Sequence, residues 1–248
     1  MPKRRGKRFY HFYLGREIRY WFSLLIGFFV ILFFTFGLVV VGKLTGLDLQ
    51  RLMTGLVVSF GRVTISYIIS LILGISIAFL VTRQESIENL LLPLFETAQS
   101  IPTVAILPLV VLWLGSGPAV IFLLTITIIW PITFSIISGF KSIPRSLAEA
   151  AKVYSAKGWR GFRHFMLPII LPSVITGSII GWGEGWEVLV AAELLGAREG
   201  IGAYIGEASV KKEMAVMTVA IAFLMFFIFL LNKLVWVPLL KHSTKHQI

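Results

Sequence analysis

Long apolar runs, each of about 20 residues or more, constrain this chain more than any other feature of its sequence. A helix needs about 20 such residues to cross the ~30 Å hydrocarbon core of a bilayer. Hydrophobic residues make up 57% of the 248 residues and charged residues only 14%, and the mean hydropathy is +0.88. Soluble domains carry about 25% charged residues, so the composition excludes a soluble globular protein.

The runs predict an all-α integral membrane protein with six transmembrane helices. They favour helices over barrel strands, whose side chains would alternate over about ten residues. Pro102 and Pro108 interrupt the third run and predict a kink there. The first run has no small-residue cleavage pattern near its end, so we expect a retained span rather than a signal peptide. The predicted spans are 21–41, 56–81, 91–114, 119–140, 167–190 and 214–240, which define a transmembrane domain over residues 21–240.

Basic residues are concentrated in alternate loops. Residues 1–20, 82–90, 141–166 and 241–248 hold seven, one, six and two Lys or Arg, sixteen in total. Residues 42–55, 115–118 and 191–213 hold two, none and three, five in total. Because cytoplasmic loops carry the excess of positive charge, we expect a multi-pass cell-membrane protein with the N-terminal flank (1–20), the C-terminal tail (241–248) and the 141–166 loop in the cytoplasm. The formal charge of +11 lies at the ends of apolar runs, so nucleic acid is not an expected partner.

The 141–166 loop has a helical pattern that a plain connection does not need. Pro144 suits the first turn of a helix, and one face of that helix is formed by residues at i, i+3, i+4 and i+7, namely Leu147, Ala150, Ala151 and Tyr154. A second short amphipathic segment follows Gly158. Periodicity alone leaves two interpretations open, a helix lying on lipid headgroups or a docking surface for another protein.

Two short strings in and after this loop carry a resemblance. Glu149, Ala150 and Ala151 precede Leu167-Pro168 at a fixed distance. This pattern resembles the EAA loop of ABC importer permeases, which favours the docking interpretation.

Two positions depart from the family pattern. Ser155 stands where the family has Gly, and Phe165 where it usually has Ile. Phe165 keeps an apolar contact. Gly often takes a positive φ at a helix end, so Ser155 predicts that the turn shifts towards Gly158.

Other motifs extend the resemblance to roughly residues 55–240 and to the nitrate, taurine and sulfonate branch of the family. They are Ser100-Ile101-Pro102, Leu107-Pro108-Leu109, Leu114 to Gly117, Trp186 to Glu193 (WEVLVAAE) and Gly200-Ile201-Gly202. The resemblance implies a type I ABC importer permease fold and a substrate pathway for a small anion such as sulfonate, taurine or nitrate.

The resemblance also implies partners. Family members dimerise, so we expect a second permease subunit in a homodimer, two cytoplasmic ABC ATPase subunits and an extracytoplasmic substrate-binding protein. The loop would couple the permease to the ATPases. The residues expected to do so are Leu147, Glu149, Ala150, Ala151, Tyr154, Ser155, Gly158, Leu167 and Pro168.

The chain itself shows no pattern of an enzyme. Gly37 to Lys43 fits the first seven positions of the nucleotide-binding pattern G-x-x-x-x-G-K-[ST], but Leu44 occupies the Ser/Thr position and the run lies in an apolar span. We therefore expect ATP and Mg²⁺ on the partner ATPase and no cofactor here. Cysteine is absent and the four histidines are scattered, so no metal site is expected. The alternative function is a self-contained secondary transporter or channel, which would tend to show internal repeats or broken helices without an ATPase dock.

Three acids fall within predicted spans, Glu96, Glu184 and Glu187. Acids at bilayer depth cost about 2.5–3.5 kcal/mol, so they should face protein or water. They are candidate pathway or gate residues. Glu96 and Glu187 have an alternative, since each could lie near the end of its span.

The fifth span also carries small residues at four-residue spacing. Such a stripe lets helices approach closely, and packing within the subunit or across a dimer is its expected use. The stripe consists of Ser173, Gly177, Gly181 and Gly185.

Overall fold

The computed structural model describes Gly37, Val40, Gly42, residues 46–144, Gly161, Arg163 and residues 166–244. The chain divides into two compact units, Met1–Asp48 and Leu49–Ile248. In the first, the Leu47 N–H donates to the Gly42 carbonyl at 3.1 Å. Most of the predicted span 21–41 and most of the 141–166 loop lie outside the described residues.

The second unit is helical throughout its described secondary structure. In chain order its elements are α1 (Leu49–Val81), α2 (Glu85–Gln99), a 3₁₀ turn (Thr103–Ile106), α3 (Leu107–Leu114), α4 (Ser116–Lys141), α5 (Leu167–Gly196), α6 (Ile201–Val210), α7 (Met214–Leu231), a π-helical turn (Asn232–Trp236) and α8 (Val237–Thr244).

Four of these stretches are long and apolar enough to cross a membrane, namely Leu49–Val81, Ser116–Lys141, Leu167–Gly196 and Met214–Ser243. The bent pair Glu85–Gln99 and Thr103–Leu114 makes a fifth if it counts as one span. The predicted all-α membrane protein is therefore confirmed, with four or five spans in the part of the chain that the structure describes. The count of six stays a prediction.

The third predicted span, 91–114, contains a break where the prolines predict a kink. The structure breaks it between α2 and α3, whose axes are bent by 71°. Pro102 is extended (φ −63°, ψ 104°). The helix ends before it because a proline lacks an N–H and disfavours a helical conformation in the preceding residue. Pro108 lies in the first turn of α3, where a proline is tolerated.

Two further helices are longer than their apolar cores. Helix α1 begins at Leu49 rather than residue 56, because its first turns bury Leu52 and Gly55. Helix α5 ends at Gly196 rather than residue 190, because its last turns bury Ala192 and Glu193. Packing of the helix ends, which hydropathy does not report, sets these boundaries.

Helix α4 packs against both α1 and α5. Small residues bring α1 close to α4: Ser66 Oγ donates to the Ile121 carbonyl at 3.1 Å, and Ser70 Oγ to the Thr125 carbonyl at 2.9 Å. Both serines are fully buried. Small residues and hydroxyl bonds of this kind hold helices together where lipid removes the hydrophobic driving force.

Candidate functional site

The described part of the chain fixes the two ends of the 141–166 loop. At one end, Lys141 closes α4 and forms an ion pair with Glu88 of α2. At the other end, Leu167 and Pro168 open α5, with the proline in the first turn. The remaining residues of the predicted coupling set, Leu147, Glu149, Ala150, Ala151, Tyr154, Ser155 and Gly158, lie outside the described residues.

The small-residue stripe of α5 lies against α4. A Cβ added at Gly177 would be 2.8 Å from the Pro131 carbonyl oxygen, and one added at Gly181 would be 3.0 Å from the Ile128 carbonyl oxygen. A Cβ at Gly185 would meet the Ile128 side chain at 2.8 Å. Ser173 continues the stripe, since its carbonyl accepts a hydrogen bond from Ser135 Oγ at 2.7 Å.

Another face of α5 has no covering in the described structure. Thr176, Ile180, Gly183 and Glu187 recur at helical spacing and are all exposed, and Glu184 beside them is half-buried. The described residues offer the Glu184 and Glu187 carboxylates no hydrogen-bond partner. Nowhere in the described chain do three or more His, Asp or Glu residues gather as a metal site would require.

Carboxylates at this depth restrict what the uncovered face of α5 can meet. An acid within a span is costly unless it faces protein or a water-filled space. Contact with lipid would therefore be costly along the stretch that carries Glu184 and Glu187. Glu96 is also exposed and lies on the shorter helix α2. No described hydrogen bond or ion pair joins its carboxylate to Glu184 or Glu187.

The structure reveals a buried carboxylate that the sequence reasoning did not single out. Glu193 of α5 is 0% exposed. Its Oε1 accepts a hydrogen bond from Arg62 Nη1 at 2.6 Å, and its Oε2 accepts bonds from Ser59 Oγ at 2.7 Å and the Gly202 N–H at 3.0 Å. Arg62 also donates to the Glu199 carbonyl at 2.7 Å. We call these five residues the Glu193 cluster.

The Glu193 cluster forms at the start of α6. Ser59 Oγ accepts the Ile201 N–H at 2.9 Å, so two of the first N–H groups of α6 bond to cluster side chains. A negative group is favourable at a helix N-terminus. Arg62 lies inside the apolar run of α1, where a lone charge would be costly, and Glu193 balances that charge.

A cavity of about 290 Å³ lies beside the cluster, between α1 and the segment that leads into α6. Its lining includes Arg51, Arg198, Glu199, Tyr204 and Glu207. Arg51 Nη2 bonds to Glu207 Oε1 at 2.9 Å, and this hydrogen bond holds the pKa of Glu207 below its ordinary value. Both side chains are about half exposed, so the pair contributes little to stability. It would weaken only as the pH falls through that lowered pKa.

Comparison with known proteins gives the family. Residues 70–236 match the family described as binding-protein-dependent transport system inner membrane component. The taurine transport system permease protein TauC of Escherichia coli (strain K12) is 32% identical over 148 residues, which are 59% of this chain and 54% of that protein. The nitrate import permease protein NrtB of Leptolyngbya laminosa is 32% identical over 160 residues, 64% of this chain and 57% of that protein.

A third relative and a solved structure agree with this placement. The putative aliphatic sulfonates transport permease protein SsuC of Escherichia coli (strain K12) is 36% identical over 116 residues, 46% of this chain and 44% of that protein. A chain of the MetNI methionine ABC transporter, in an inward-facing conformation, superposes with a TM-score of 0.69 at 18% identity. The superposition covers 78% of this chain and 96% of that one. At this identity the likeness concerns the fold alone.

The chain spans about half the length of the curated relatives it matches. The family match itself covers more than half of the chain. It includes the EAA-like string and three residues of the Glu193 cluster, Glu193, Glu199 and Gly202, while Ser59 and Arg62 precede it. The chain belongs to the family of inner membrane components of binding-protein-dependent transport systems.

Proposed function

We propose that the chain is the membrane-spanning permease subunit of an ATP-driven, binding-protein-dependent ABC importer. The family match over residues 70–236 carries the proposal. The superposition on a MetNI chain supports the type I importer fold, and the apolar runs of the sequence support six spans. The charge count supports cytoplasmic termini.

Two features of the chain support the proposed partners. Glu149-Ala150-Ala151 with Leu167-Pro168 supports docking to a separate ATPase, which would bind ATP and Mg²⁺. The uncovered face of α5 supports a second copy of this chain, because contact of Glu184 and Glu187 with lipid would be costly. In the resulting homodimer the substrate pathway would run along this face, with two ATPases below and a binding protein outside.

The substrate class is a small solute with an oxyanionic group. The relatives are named for taurine, nitrate and aliphatic sulfonates, which share that chemistry.

Purification of the tagged chain with its associated proteins tests this function. We expect an ABC ATPase and an extracytoplasmic binding protein to co-purify, and uptake into proteoliposomes to require ATP on the side of the 141–166 loop. Solute retained by the binding protein, identified by mass spectrometry, gives the substrate. ATP-independent uptake by the chain alone would instead support a self-contained secondary transporter or channel.

Glu184→Gln and Glu187→Gln are expected to change the uptake rate at least tenfold, because a hydrogen bond that a charged carboxylate accepts from the solute or the second subunit is worth roughly 1.5–3 kcal/mol. The amide keeps the side-chain volume, so yield and monodispersity should stay unchanged. Initial uptake rates over a range of solute concentrations measure the effect. Glu213→Gln, at an exposed acid just before α7, is the control. Uptake kinetics equal to the wild type in both pathway variants would contradict a role of this face.

A further inference from the structure

The Glu193 cluster joins three helices at one buried point. Ser59 and Arg62 come from α1, Glu193 from α5 and the Gly202 N–H from the first turn of α6. Both oxygens of the carboxylate are occupied, at distances from 2.6 to 3.0 Å. A complete set of charge-assisted bonds fixes direction as well as distance.

Stability alone does not account for a charged joint here. A buried ion pair is often no more stabilising than apolar side chains of similar volume, because both charges lose their hydration. Charges inside membrane spans are rare and tend to serve function. What Arg62 and Glu193 provide, and an apolar contact would not, is a single allowed position of α6 relative to α1 and α5.

Glycines make that position stricter. Gly200 has φ +124°, in the region that favours glycine. A Cβ at Gly202 would be 2.7 Å from the Val190 carbonyl oxygen, and one at Gly55 would be 3.0 Å from the Gly200 carbonyl oxygen. Close backbone contacts of this kind leave α6 no room to slide gradually, so it either keeps this arrangement or leaves it.

The Glu193 cluster lies between the cavity beside it and the uncovered face of α5. Glu187 precedes Glu193 by six residues, about 9 Å along the helix axis. On the other side, Arg62 donates to the carbonyl of Glu199. Glu199 lines the cavity beside the cluster, together with Arg51 and Arg198. Arg62 and Glu193 therefore connect the lining of the cavity to α5, in addition to the short connection from Gly196 to Gly200.

We propose that the Glu193 cluster is the joint that makes α1, α5 and α6 move as one body during transport, with Ser59, Arg62 and Glu193 as positioning residues. It would transmit the docking of an extracytoplasmic binding protein to the pathway face of α5. This inference rests on the proposed function for its role in transport. The rigidity of the joint itself can be measured separately.

Ser59→Ala is the most selective test, because it removes one donor to Glu193 and the acceptor of the Ile201 N–H while the Arg62–Glu193 pair remains. Ser70→Ala is the matched control. Ser70 is another fully buried serine of α1, and its substitution removes one hydrogen bond, to the Thr125 carbonyl outside the cluster.

Two measurements test whether the Glu193 cluster holds these helices in one arrangement. Spin labels at Leu195→Cys on α5 and Val210→Cys on α6 report the distance between these helices. Both positions are exposed, at 65% and 85%, and the native chain has no cysteine. The second measurement is ATP hydrolysis by the reconstituted complex with and without the co-purified binding protein.

We expect Ser59→Ala to broaden the Leu195–Val210 distance distribution and to reduce stimulation by the binding protein about tenfold, within the usual range of coupling between sites. Basal hydrolysis should not change. Ser70→Ala should alter neither measurement. Arg62→Lys, which keeps the charge but has no guanidinium to reach both Glu193 and the Glu199 carbonyl, should behave like Ser59→Ala.

Equal effects of Ser59→Ala and Ser70→Ala would overturn the proposal, as would an unchanged distance distribution in Ser59→Ala and Arg62→Lys. Failure of the proposed function gives a different result. In that case no ATPase or binding protein co-purifies with the wild type, and the distance distributions of the purified chain still decide whether the joint is rigid.

Discussion

Gly177→Ala is expected to lower the unfolding free energy by about 3 kcal/mol, near the upper end of the usual cost of overpacking. The new methyl group would lie 2.8 Å from the Pro131 carbonyl oxygen and the Ile132 Cα. Because these are backbone atoms of α4, no side chain can rotate away to make room. Helices α4 and α5 would have to separate along their contact. Thermal unfolding of the detergent-purified protein, followed by tryptophan fluorescence, measures the loss.

Gly61→Ala is the matched control for this substitution. Gly61 also lies within a long helix, α1, but apart from its chain neighbours and the nearby backbone of α1 no atom lies within 4 Å of the position its Cβ would take. Both variants gain the same helix propensity, up to about 1 kcal/mol, so their difference isolates the contact with α4. Equal melting temperatures for the two variants would show that α5 does not approach α4 this closely.

The fold was predictable wherever one physical signal decided it. Apolar length predicts the spans, and Leu167 begins α5 at the predicted residue. The break at Pro102 was visible as a proline but not as a bend of 71°. A proline in a membrane helix produces either a kink or a break, and the choice depends on whether neighbouring helices satisfy the freed carbonyls. The sequence does not contain that information in any local form.

The Glu193 cluster was missed for a different reason. Arg62 was visible inside an apolar run, and a charge in a span requires a partner. Its partner is 131 residues away, and Glu193 was assigned to the loop at 191–213 because the apolar run ends before it. A search for an acid to balance Arg62 would have placed Glu193 beside Glu184 and Glu187 as a candidate. Only the fold distinguishes the paired acid from the two on the uncovered face.

Ala150→Arg is expected to reduce ATP-driven uptake at least tenfold while the chain still accumulates in the membrane. Ala150 lies outside the described residues, so this prediction rests on the loop pattern. In that pattern Ala150 and Ala151 are the smallest side chains of the docking face and would let another protein approach closely. A bulky charge there would hold the ATPase away from the loop. A well-packed interface contact of this kind is worth roughly 2 kcal/mol or more, which is over tenfold. Uptake and ATPase co-purification are measured together.

Ala156→Arg is the control for Ala150→Arg. It adds the same bulk and charge to the same loop, but residue 156 falls on the opposite side of the helical projection. Docking through one face requires that only Ala150→Arg loses uptake and bound ATPase. If the loop instead rests on lipid headgroups, neither substitution should release the ATPase, because added arginine strengthens contact with phosphate. The pair of substitutions thus decides between the two interpretations that periodicity leaves open.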